Sequence, residues 1–312
     1  MNCEISSASA PGKFILLGEH AVVYGKPAVA LAIDKRIQST VGSSDINRLN
    51  GTALAPDTNR HLDYIMSKYG VTNVCIDVFS DVPSGSGLGS SAAISSSFSA
   101  AIRDYLGLEF DKVAIARDAF EAELYSQGNA SPMDTSCSTF GGGVALNCPS
   151  ADEKLWTAER GDKRWDVSSV KVPDMTFVIG LTGIKAATGP LVAKVKKYKE
   201  TNAFASDIVD EIETVTSDGI RCMRNNDKEG LGRTMVQDHK LLSILGVSCR
   251  ELNGLVDSVL PYSYGAKLTG AGGGGSIVAL TDRPSDVCEA ITLHGGLPFV
   301  VKTSPEGVKL LL

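Results

Sequence analysis

Hydrophobic and polar positions alternate along residues 73–80 (NVCIDVFS), the two-residue period of a half-buried strand. Apolar runs at 28–33 (AVALAI) and 36–42 read as two further strands. Residues 4–9 and 13–17 read as two more, joined by the turn signal Ala10-Pro11-Gly12. Over 111–126 the period becomes helical, with Val113, Ile115, Ala116, Ala119, Phe120 and Leu124 on or near one face. A helix of small residues is expected from Ser90 to Tyr105, and a strand (VALNC) after the glycines at 141–143. Residues 150–171 are polar enough to predict a linker or an exposed excursion. Beyond them the pattern predicts a strand at 175–183 and helices at 189–200, 204–225, 228–243 and 248–259. A strand pair at 264–280, a helix at 284–293 and strands at 298–303 and 307–312 complete the chain. Strands and helices segregate in this second half, an α+β pattern. A domain boundary is expected near residue 170, dividing the chain into 1–170 and 171–312.

The 312 residues are 43% hydrophobic and 21% charged, enough chain to bury a core without disulfide or metal staples. The net charge of -6 leaves no global basic field for nucleic acid or an anionic membrane, so an anionic ligand must be held by local devices. Seven scattered cysteines without a C-x-x-C pair point to reduced thiols in a reducing compartment. The N-terminus lacks a basic n-region, and Pro11, Gly12 and Lys13 break its apolar stretch, so it does not read as a signal peptide. No apolar run approaches the ~20 residues that span a bilayer. A soluble cytoplasmic protein with no nucleic-acid or membrane partner is the expectation.

The 32 glycines gather in clusters, which suggests backbone-lined binding loops. One cluster is Pro83-Ser84-Gly85-Ser86-Gly87-Leu88-Gly89-Ser90-Ser91-Ala92, between an expected strand and an expected helix. Unpaired amides and the helix dipole favour an anion there, and Ser90 and Ser91 add hydroxyls for phosphate or metal. No G-K-[ST] follows, so this is not a Walker A loop, and Ser90 stands where a dinucleotide fingerprint needs its third glycine. The plain alternative is a flexible turn capping a helix. A second cluster, Lys267-Leu268-Thr269-Gly270-Ala271-Gly272-Gly273-Gly274-Gly275, is followed by the strand-like SIVAL rather than a helix, which rules out a nucleotide fold at that point. It can line a ligand or simply let backbones pack closely. The third region is Ala10-Pro11-Gly12-Lys13 with Gly18-Glu19-His20 after it; alone, a surface lysine and a capped turn would explain it. Glu123 closes a helical pattern, and Asp134 follows the break Gly128-Asn129-Ala130-Ser131-Pro132. A helix cap is the default for such an aspartate. Near a phosphate loop, however, acidic groups suit magnesium ligation and hydroxyl activation.

Together, in this order, APGKFILLGEHAVVYG, PSGSGLGSSAA and KLTGAGGGG resemble the three motifs of the GHMP kinases, the family of galacto-, homoserine, mevalonate and phosphomevalonate kinases. They span residues 10–275, and Gly18-Glu19-His20-Ala21-Val22-Val23 looks most like the mevalonate-specific branch. The resemblance implies a two-domain α+β fold: an N-terminal domain like ribosomal protein S5 domain 2 and a ferredoxin-like C-terminal domain, with the site in the cleft between them. It implies ATP as co-substrate, with phosphates wrapped by residues 83–92, and Mg²⁺ held by Ser91 and Glu123. It assigns Asp134 as the catalytic aspartate, with Lys13 beside it and the reacting hydroxyl. Glu19 and His20, with Thr188, would hold mevalonate. A homodimer is an expectation of the family alone. Asp134 is preceded by Ser131-Pro132-Met133 where familiar eukaryotic members have Ser-Gly-Val, so the loop is expected to differ in shape. Phosphomevalonate as acceptor would demand a basic pocket, for which Lys185 and the lysines of 194–199 are candidates. A catalytically silent ligand sensor is a reading of another class. Retention of Lys13, Glu123 and Asp134 counts against it.

Overall fold

Ile5–Leu17 forms one strand, β1, where the sequence pattern predicts two. The Ala-Pro-Gly signal marks a bulge instead of a turn: the pairing of β1 with β2 (Ala28–Ser43) shifts register between Pro11 and Lys13. A proline that cannot donate to the ladder is accommodated at such a bulge. β2 is likewise one strand in place of two. The computed structural model describes residues 5–83, 85–128, 130–185 and 188–311, with only the backbone described at Thr188.

The chain continues through β3 (Arg48–Leu49), β4 (Thr52–Ala53), α1 (Arg60–Tyr69), β5 (Val74–Ser80), α2 (Ser90–Tyr105), α3 (Lys112–Gln127) and α4 (Met133–Phe140). Then come β6 (Gly143–Leu146), β7 (Glu153–Arg160), β8 (Lys163–Val170), β9 (Thr176–Leu181) and α5 (Thr188–Thr201). α6 (Ala203–Arg224), α7 (Lys228–Ile244), α8 (Arg250–Val259), β10 (Gly265–Thr269), β11 (Ser276–Leu280), α9 (Pro284–Leu293), β12 (Leu297–Lys302) and β13 (Lys309–Leu311) follow.

One sheet runs β4-β3-β5-β2-β6-β8-β7, with β1 paired to both β2 and β13, so the last strand returns to the first. The second sheet, β10-β11-β9-β12, is antiparallel throughout. The polar stretch 150–171 is no linker: it builds the β7–β8 hairpin on the first sheet. Trp156 and Trp165 pack edge-on against Phe120, with ring centroids 6.2 and 6.0 Å away. Charged residues on the hairpin's outer face dilute the apolar signal of the inner one.

α2 lies on β1 and β2, and its serines let it approach closely. Ser95, Ser96, Ser97 and Ser99 are fully buried, and each finds a hydrogen-bond partner, such as Ser97 with Ser39 at 2.7 Å and Ser99 with Asp118 at 2.8 Å. Buried hydroxyls cost little once they are paired. The two sheets share a core where Phe14 of β1 meets Phe177 of β9, ring centroids 5.0 Å apart. Polar contacts tie them beside it: Thr269 Oγ1 donates to Ile15 O at 2.8 Å, and Ser276 Oγ to Ser86 O at 2.5 Å. A cavity opens at this seam. Among the described residues, no helix is long and apolar enough to cross a membrane.

Candidate active site

The cavity, of about 440 Å³, is lined from all three glycine regions. Gly85, Ser86 and Gly87 contribute from one, Lys13, Glu19 and His20 from another, and Thr269–Gly272 with Gly274–Ser276 from the remaining one. Glu123 and Asp134 line the cavity as well. Of the other residues expected to wrap phosphate, Leu88 and Ala92 are buried in the core and shape the loop from behind. Ser84 lies outside the described residues. Gly89 enters α2 at φ 73°, and a Cβ there would sit 2.8 Å from Lys13 Cε. Glycine therefore gives Lys13 its room.

Lys13 is held on three sides. Its amide donates to Leu88 O at 2.9 Å, its Nζ lies 3.4 Å from Gly87 O, and the same Nζ pairs with Asp134 Oδ2 at 2.9 Å. The lysine side chain is buried while that of Asp134 is 42% exposed, so the carboxylate faces the cavity. Asp134 sits in the first turn of α4, which Pro132 caps at φ -74°, a value the pyrrolidine ring favours. Pro132 thus starts the helix that carries the aspartate.

Glu123 accepts hydrogen bonds from Ser91, Ser95 (3.2 Å) and Gln127. Burial lifts its carboxyl above the ordinary range and Asp134 adds to this, while the three donors pull it down. A buried carboxylate beside a second acid, with a serine hydroxyl on it, is a donor set that suits a hard divalent cation.

Gly18-Glu19-His20 turns sharply after β1. At Gly18 φ is 93° and a Cβ would lie 2.5 Å from Pro27 O, so only glycine fits. His20 takes φ 61°, ψ -42°, a strained combination for a non-glycine residue. Its Nε2 donates to Ala271 O at 2.9 Å. Burial pushes the imidazole below its ordinary value, so it is neutral near pH 7. The side chain of Thr188 lies outside the described residues. None of Lys185, Lys194, Lys196, Lys197 and Lys199 lines the cavity. Lys194 instead donates to Gly246 O at 2.6 Å, and Lys199 lies over the Tyr24 ring.

Two further charged residues meet this turn from behind. Lys267 Nζ contacts Glu19 Oε1 and Asp238 Oδ2 (3.1 Å), and all three side chains are buried. The signal was a lone lysine in the otherwise uncharged strand GAKLT. Beside Asp238, His239 accepts from Leu268 N through Nδ1 at 3.2 Å, so Nε2 carries the proton toward Asn253 Oδ1 at 3.1 Å. Burial and then the charge of Lys267 push this imidazole from 6.5 down to about 4. A depressed histidine contributes stability that is present above 6.5 and lost as pH falls toward 4, because the unfolded chain takes the proton first. His239→Gln should therefore reduce the stability lost between pH 7 and 4.5 by about 2 kcal/mol, read from urea denaturation at each pH. Equal losses in variant and parent would refute this.

Comparison with known proteins adds the relatives. Residues 58–142 match the GHMP kinases N terminal domain and residues 220–295 the GHMP kinases C terminal domain. The chain is 36% identical to the mevalonate kinase of Methanothermobacter thermautotrophicus over 88% of this chain and 89% of that one. It is 32% identical to the mevalonate kinase of Thermococcus sibiricus over 97% of each. Among solved structures, L. major mevalonate kinase in complex with R-mevalonate shares the fold, with a TM-score of 0.82 at 23% identity over 96% of each chain.

Proposed function

The chain belongs to the GHMP kinase family, and from that premise we propose that it transfers the γ-phosphoryl group of Mg·ATP to the C5 hydroxyl of mevalonate, a step of isoprenoid synthesis. It is an ATP-dependent small-molecule kinase with the family's two-domain α+β fold. The observation that carries the acceptor assignment is that the Lys13–Asp134 pair, the Glu19–His20 turn and the glycine loop line one cavity. None of Lys185, Lys194, Lys196, Lys197 and Lys199 lines the cavity, and Lys13, which does, is paired with Asp134; this disfavours a phosphorylated acceptor.

In this reading the loop 83–92, through its backbone N–H groups, and the start of α2 hold the triphosphate, where a helix N-terminus favours negative charge. Ser91 and Glu123 would hold Mg²⁺, which when bound would neutralise charge on the phosphate oxygens. Asp134 takes the proton of the C5 hydroxyl, and the Lys13 ammonium 2.9 Å from it stabilises the oxygen as that proton leaves. Glu19 and the neutral His20 orient the acceptor, and Thr188, whose side chain lies outside the described residues, is assigned to help them by the family resemblance alone. Positioning supplies much of the acceleration, since phosphoryl transfer needs little covalent help from the protein. A division near residue 170 and a cytoplasmic location complete the reading.

Incubation with Mg·ATP and mevalonate, followed by ³¹P NMR, tests the assignment. The expected product is a phosphomonoester coupled to the C5 methylene protons. Phosphate appearing only as inorganic ion would refute it. Glu123→Gln is expected to raise the Mg²⁺ concentration for half-maximal rate ~10-fold or more, because a neutral amide binds a hard cation poorly. An unchanged Mg²⁺ dependence would remove Glu123 from the metal site.

A further inference from the structure

Side chains alternate along β10, so Lys267 and Thr269 share the face turned toward β1, while Ala266 and Leu268 join the apolar cluster on the other. Lys267 has no exposed surface, an unusual state for a lysine. It lies between two carboxyl groups, Glu19 in the turn after β1 and Asp238 in α7. Of the three, only Glu19 lines the cavity. Glu19 Oε2 and Asp238 Oδ1 are buried with no hydrogen-bond partner among the described residues. One cation thus serves two acids, and each acid keeps a buried oxygen without a hydrogen-bond partner among the described residues.

The same stretch of chain holds the neighbouring histidine. Four residues after Lys267, the carbonyl of Ala271 accepts from His20. Residues 267–271 therefore grip both Glu19 and His20, and they do so from the sheet opposite the one that carries the turn. The His20 backbone is strained, and such strain persists only where surrounding contacts over-determine it. Without Lys267, Glu19 would be a buried carboxylate facing Asp238 with no counter-charge, and the turn would rearrange to reach water.

We propose that Lys267 is a positioning residue for the acceptor: it acts through Glu19 to hold the Glu19–His20 turn against the cavity. This rests on the reading of that turn as the acceptor wall. Lys267 touches neither nucleotide nor acceptor, so its removal weakens the acceptor site and spares the ATP site.

A double-mutant cycle tests this. Lys267→Met should raise KM for mevalonate at least ~10-fold while KM for ATP stays within about twofold, the selectivity expected when ground-state positioning of one substrate is lost. In the Glu19→Gln background the same substitution should add less than about threefold, because the group through which it acts has already been neutralised. An unchanged KM for mevalonate in a folded variant would overturn the proposal. So would KM values for both substrates rising in step, or an equal factor in the two backgrounds. Should Lys267→Met fail to fold, Lys267→Arg keeps a cation between the acids. It should then shift KM for mevalonate alone, and parallel shifts for both substrates would overturn the proposal. Parent enzyme assayed alongside separates the two readings. Without turnover of mevalonate the functional assignment falls, and the cycle is read on the alcohol that the enzyme does phosphorylate.

Discussion

Replacing Asp134 by asparagine is expected to lower kcat by ~10²-fold or more, the contribution typical of a general base. The amide keeps the size and position of the carboxylate but cannot take a proton. Lys13 remains fixed by Leu88 O and Gly87 O, so the phosphate wall is undisturbed and KM for ATP should hardly move. The half-exposed setting of Asp134 makes a large loss of stability unexpected. Steady-state kinetics with a thermal melt of the same preparation checks both halves. Turnover near that of the parent would reduce Asp134 to an orienting group.

Gly89→Ala reaches the same pair from the other side. At φ 73° a side chain costs about 1–2 kcal/mol, since only glycine adopts the left-handed region freely. The new Cβ would also stand 2.8 Å from Cε and 2.9 Å from Cγ of Lys13. The lysine backbone is tied to Leu88 O, so its side chain must yield, and the ammonium leaves Asp134. We expect kcat to fall ~10-fold or more, in the range where misplaced catalytic groups are felt. Gly107→Ala is the control: its φ is 69° and a Cβ there meets nothing within 4 Å. It should lose similar stability and no activity. Equal kcat in the two variants would show that the space beside Lys13 is immaterial.

The glycine loops were legible in the sequence because their requirement is local. Gly85, Gly87 and Gly89 all take positive φ before a helix, and that need is written in the residues themselves. The helices α2, α3 and α6 to α9 also follow their periodicity closely. What the pattern could not convey depended on partners distant in sequence. Pro11 reads as a turn unless β2 is known to run beside it and absorb a bulge. Glu153–Val170 reads as a linker until Phe120 supplies the surface for both tryptophans. α1, with Leu62, Ile65 and Met66 buried, belongs to a segment whose polar flanks masked its apolar face. Within the site, Lys13, Glu19, His20, Glu123 and Asp134 do converge on one cavity. Lys267 and Asp238 escaped because a buried ion pair is a property of two elements at once, and neither residue type announces it alone.

The central claim is that this cavity selects mevalonate as phosphoryl acceptor. The most direct test is ADP release by the purified protein with Mg·ATP, offering mevalonate, phosphomevalonate, galactose and homoserine separately. The account predicts turnover with mevalonate and rates at least ~10²-fold lower with the other three, the discrimination expected when charged or polar groups of the wrong acceptor go unpaired. Preference for any other acceptor would contradict it, as would ATP binding without turnover of any of the four, the behaviour of a ligand sensor.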